Sequence, residues 1–127
     1  MTNYDLEEDV LLKYQIILSF IFTFTLFISI TLSYNAMTGY GGKNKLYSKK
    51  DAKIILKINR IIAFLVSIGF LLINIFDKLV KEKYNLNKNS ADLQILASVL
   101  TLISSLIVLY IAFNNSNGTI SEENPEI

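Results

Sequence analysis

Apolar positions in this chain gather into three long runs, at residues 15–34, 54–76 and 93–113, with polar segments between them. Residues 15–34 carry no charge over 20 positions, which at ~1.5 Å per residue makes about 30 Å of helix, the thickness of a bilayer's hydrocarbon. Tyr14 and Tyr34 bracket this run at the two headgroup levels. Within it Phe22-Thr23-Phe24-Thr25-Leu26 and Ile28-Ser29-Ile30-Thr31-Leu32-Ser33 alternate with period two, which in water argues for a strand. A lone strand in lipid leaves its backbone groups unpaired at several kcal/mol each, so a helix is expected, with Ser and Thr bonding back to its carbonyls.

The second run spans 23 residues counted from Ile54, and from Ile61 to Phe76 only Ser67, Gly69 and Asn74 interrupt it. Ser48 and Asp51 read as a capping box ahead of it. Beyond it Asp77 and Lys81 pair at i, i+4, while Leu79, Val80 and Tyr84 keep helical spacing, so this helix is expected to outrun the membrane. The third run holds 21 uncharged residues and ends at Tyr110 and Phe113. Ala91, Ser98, Ser105 and Ala112 recur in it every seven residues, with Thr101 beside them, as a small-residue face for close helix packing.

These patterns predict an all-α integral membrane protein, three transmembrane helices in a small bundle. Residues 1–14 form an acidic amphipathic segment that lies at the surface or lengthens the first helix, with Thr2 or Asn3 as its cap. A cleaved signal peptide fits badly, because the leader is acidic and the apolar run is too long. Transmembrane helix 1 at 15–34 leads into a basic loop at 35–50, where Gly39, Gly41 and Gly42 break the helix. Transmembrane helix 2 with its extension occupies 51–84, a turn 85–90 with Asn89 or Ser90 as the next cap, transmembrane helix 3 91–113, and an acidic tail read as disordered 114–127. Two glycosylation sequons fall at Asn114 and Asn117, matches that arise readily by chance in an Asn-rich chain.

Composition narrows the function. Of 127 residues 52% are hydrophobic, which suits lipid as the solvent for the three runs, and a net charge of +1 gives no nucleic-acid signal. With no Cys and no His, the thiolate nucleophile, the sulfur metal site and the commonest general base are all missing. No Asp, Glu or His lies inside a run, so no proton relay is expected there. We therefore assign no catalytic, metal or cofactor-binding residue and expect no enzyme.

Charge placement suggests the orientation. Lys43, Lys45, Lys49, Lys50, Lys53, Lys57 and Arg60 flank the first loop, whereas Lys13, Lys78, Lys81, Lys83 and Lys88 lie toward the other side. By the positive-inside rule the first loop is cytoplasmic in a cell membrane, which puts the N-terminus outside and the C-terminus inside. Positions 53, 57, 60, 67 and 74 fall within about 100° on a wheel of ~3.6 residues per turn. Lys49, Lys50, Lys53, Lys57 and Arg60 are expected to reach anionic headgroups, each worth about 1 kcal/mol at such a surface. Ser67 and Asn74 continue the stripe inward, as a helix contact or a pore lining.

The expected partners are membrane lipids and a helix of the same or another membrane protein. The sequence points to a small non-enzymatic subunit or modulator of a larger membrane assembly. In span count and topology the chain also resembles some phage holins, which would imply a homo-oligomeric pore.

Overall fold

The computed structural model describes residues 2–38 and 46–114, and among them every long element is an α-helix. Helix α1 runs Asn3–Thr38, α2 Lys49–Lys83 and α3 Asn89–Asn114. At ~1.5 Å per residue the 36 residues of α1 reach about 54 Å, well past the hydrocarbon, so its acidic first turns extend the helix beyond the apolar run. The period-two alternation gives way to helix as expected. Thr23 donates to Ser19 O at 2.8 Å, Thr25 to Phe22 O at 2.6 Å and Thr31 to Ile28 O at 2.7 Å.

The helix ends follow local chemistry. At α1 a full capping box closes, with Asp5 N–H donating to Thr2 Oγ1 at 3.1 Å and Thr2 N–H to Asp5 Oδ2 at 3.2 Å. At α2 the Ser48 hydroxyl accepts from Asp51 N–H at 3.2 Å. The α2 C-terminus winds into a Schellman turn. Asn85 takes φ 55°, its N–H donates to Glu82 O at 3.2 Å, and Leu86 N–H reaches Lys81 O at 2.8 Å. Asn87 then accepts from Asn89 N–H at 2.9 Å, which starts α3 slightly ahead of the expected residue 91.

Helix α2 is the centre of the bundle: α1 packs on one side of it and α3 on the other, and α1 and α3 meet little. Leu32, Ala52, Leu56 and Ala112 form the buried apolar cluster at the end near the first loop. Toward the other end Gly69 lets α1 come close, since a Cβ there would stand 2.8 Å from Leu18 Cδ1. Phe20, Phe27, Leu100 and Leu106 are among many large apolar side chains facing outward, a surface suited to lipid. All three helices are long and apolar enough to cross a membrane. Most of the first loop and residues 115–127 lie outside the described residues, so of the expected tail and its two sequons only Asn114, the last residue of α3, is described, and it is helical.

Candidate functional site: a polar cleft between α1 and α3

Because α1 and α3 meet little, one face of α2 is left lining a cleft. Arg60, Ala63, Ser67, Phe70 and Asn74 follow one another there at three- and four-residue steps, as one side of a helix must. Two chambers share Phe22, Ala63, Thr101 and Ser105 in their walls. The larger, of about 570 Å³, holds Gln15, Ser67, Asn74, Gln94 and Ser98. The smaller, of about 450 Å³, holds Thr25, Ser29, Asn59, Arg60, Ser104 and Ser105. Thr101, Ser104, Gln94 and Gln15 are exposed, so the cleft opens to the surroundings of the bundle.

The basic stripe divides by depth. Lys49 and Lys50 are exposed, and Lys53 and Lys57 are half-buried. The Lys57 ammonium lies 5.6 Å from the centre of the Phe113 ring, a cation–π contact between α2 and the end of α3. Arg60 is only 8% exposed, inside the bundle. Neighbouring helices stand over this part of α2, a circumstance that a helical wheel does not register.

Ser67 is buried and donates to Phe64 O at 2.6 Å. Asn74 Nδ2 donates across to α3, to Gln94 O at 3.4 Å and to the Ser98 hydroxyl. On α3, Ala91, Ser98 and Ala112 are buried, Ser105 is half-buried, and Thr101 faces the open cleft and donates to Ala97 O at 2.9 Å. The small-residue face is thus used largely inside the chain.

Two buried amides were not singled out from the sequence. Asn59, 4% exposed, donates to Thr25 O and Ser29 Oγ, both at 3.1 Å, and ties α2 to α1 in mid-span. Asn35 is fully buried, and its Oδ1 accepts from Leu46 N–H at 2.7 Å and Tyr47 N–H at 2.9 Å, while Tyr47 OH meets Thr31 Oγ1 at 2.9 Å. Asn59 had a readable signal as an amide within an apolar run. Asn35, at the foot of a glycine loop, had none.

Outside the apolar runs lies a second polar cluster. Asp77 pairs with Lys81 at 3.0 Å, Glu7 with Lys83 at 2.8 Å and Lys78 with Asp92 at 2.8 Å, so α1, α2 and α3 are all joined at this end. Tyr4 and Tyr84 meet edge to face at 5.6 Å. Burial, and Asp77 alongside, push the Glu8 carboxyl above its usual range, while the Lys83 hydrogen bond pulls Glu7 below it. Lys81 is raised by its hydrogen bond to Asp77.

Three apolar spans, polar groups turned inward and an apolar exterior define a small all-α multi-pass membrane protein. Compared with known protein families, curated proteins and solved structures, the chain matches none.

Proposed function

We propose that this protein is a non-enzymatic subunit or modulator of a larger membrane assembly. The cleft carries this reading. Amide, hydroxyl and guanidinium groups from three helices face an opening at the depth of the apolar runs, where acyl chains offer neither donor nor acceptor. A spanning helix of another protein would cover the cleft and bring polar groups to it. The charge bias of the first loop supports a cell-membrane location with the N-terminus outside and the C-terminus cytoplasmic. Lys49, Lys50, Lys53, Lys57 and Arg60 are the residues proposed to meet anionic lipid, the exposed Lys49 and Lys50 foremost.

A homo-oligomeric pore is the competing reading. Such a pore would display the Ser67 hydroxyl and the Asn74 amide, both of which line the larger chamber. Photoreactive residues at Thr101 or Ser104 should cross-link to another polypeptide in native membranes, whereas the outward Leu106 should label lipid. Lipid adducts at all three positions would overturn the proposal. So would a single-channel current from the purified protein that Asn74→Leu alters. A reporter fused to the C-terminus and active only in the cytoplasm tests the orientation, and activity outside would reverse it.

A further inference from the structure

Building on the cleft as the seat of a partner helix, we infer that the partner is a different membrane protein whose spanning helix carries an Asn or Gln that enters the larger chamber and bonds there to Gln15, Asn74 and Gln94. Each of the three helices contributes one carboxamide to that chamber. Gln15 opens the first apolar run, Gln94 stands second in the third, and Asn74 lies two residues before the end of the second, so the three share one level at the edge of the hydrocarbon. Among the described residues the Gln15 and Gln94 side chains make no hydrogen bond, and Asn74, whose Nδ2 donates to Gln94 O and Ser98, accepts nothing at Oδ1. A carboxamide has two donors and an acceptor oxygen, so the chamber presents both kinds of group side by side. Acyl chains answer neither, whereas a polar side chain on a neighbouring helix answers both.

The chemistry of the walls identifies the occupant. No residue around the larger chamber is charged, and Lys78 and Asp92, just past Asn74 and just before Gln94, are paired with each other at 2.8 Å. An ionised side chain entering there would find no counter-charge, and an apolar one would leave the amides unmet. A hydroxyl brings a single donor, whereas a carboxamide donates twice and accepts, which suits Asn74 Oδ1 on the floor and a glutamine on either side. A second copy of the chain does not fit. Its carboxamides within the apolar runs are Gln15, Asn59, Asn74 and Gln94, and every one lines its own cleft. Two such clefts laid face to face are both concave and touch at their rims, so Asn74 on each floor stays out of reach. A single helix of another protein is convex and enters between α1 and α3.

The test uses the full chain in its native membrane with a photoreactive residue at Ala97, exposed on the α3 wall between Gln94 and Thr101, and maps the adduct by mass spectrometry. The expected adduct is a spanning segment of a different protein with an Asn or Gln within one helical turn of the cross-linked residue. Changing that partner amide to Leu, with this chain unaltered, should lower the yield about fivefold, the factor carried by one interhelical hydrogen bond in a membrane. Gln94→Leu in this chain should lower it similarly, and because the Gln94 side chain bonds nothing within the fold, the bundle itself should keep its unfolding midpoint. An adduct with a second copy of this chain, with a segment lacking such an amide, or with a yield that either substitution leaves intact overturns the inference while leaving the subunit reading in place. Adducts with lipid alone overturn both.

Discussion

The two ends of the α1–α2 contact handle buried polarity in opposite ways. From the first loop to mid-span the hydrogen bonds that α1 makes to the following segment come mainly from neutral amides: Asn35 holds Leu46 and Tyr47, and Asn59 holds Thr25 and Ser29. At the far end the groups are ionisable, with Glu8 beside Asp77, Lys81 on Asp77 and Lys83 on Glu7. Depth explains the difference. Asn59 lies within the apolar run, where an amide bonds without a charge of its own to desolvate, whereas Glu8 and Asp77 lie beyond it, with Lys81 as counter-charge on Asp77. One end should therefore ignore pH and the other should respond to it.

Asn35→Ala should show the largest effect. It leaves two backbone N–H groups without their acceptor and should cost about 2 kcal/mol in reversible unfolding from detergent micelles. Asn59→Leu should cost about 1 kcal/mol in the same assay, within the range of interhelical hydrogen bonds in membranes. An unchanged midpoint for both would show that the amide end is held by packing alone.

Glu8→Gln probes the other end. Its carboxyl is raised in the fold by burial and then by Asp77, so the contribution of its protonated form is full below the ordinary glutamate range and fades as pH rises through the raised value. Glu7, lowered by Lys83, has the opposite sign: its contribution is present above the ordinary range and fades as pH falls. Spin-label distances between the start of α1 and the end of α2, from about pH 4 to about pH 8, should coincide for the wild type and Glu8→Gln in acid and part as pH rises. Curves that overlay throughout would remove Glu8 as the source.

Gly69→Ala should be the mildest change, below about 0.5 kcal/mol. Its new methyl meets only the movable tip of Leu18, and alanine's helix propensity offsets the contact. A loss of several kcal/mol would show that α1 and α2 are held too rigidly for Leu18 to turn.

Much of the fold was legible in the sequence. Uncharged runs of hydrocarbon length predict helices because lipid leaves the backbone no other way to satisfy itself, and Thr2, Ser48 and the Asn85–Ser90 turn mark helix ends through bonds made within a few residues. The Asp77–Lys81 pair is likewise local. The cleft was only half legible. Ser67 and Asn74 stood out as polar positions in an apolar run, but Asn35 became important only when residues 11 and 12 positions further on came back to it.

Arg60 marks the boundary between the two kinds of information. The sequence by itself determined that Arg60 shares a side of α2 with Lys53, Lys57, Ser67 and Asn74, since 3.6 residues per turn sets a side chain's direction. Only the tertiary structure decided what stands in that direction. At Lys49 and Lys50 it is the surroundings, whereas at Arg60, Ser67 and Asn74 it is the gap between α1 and α3. Local geometry aims a side chain, and the approach of distant segments decides whether its charge meets water, lipid or the interior of a bundle.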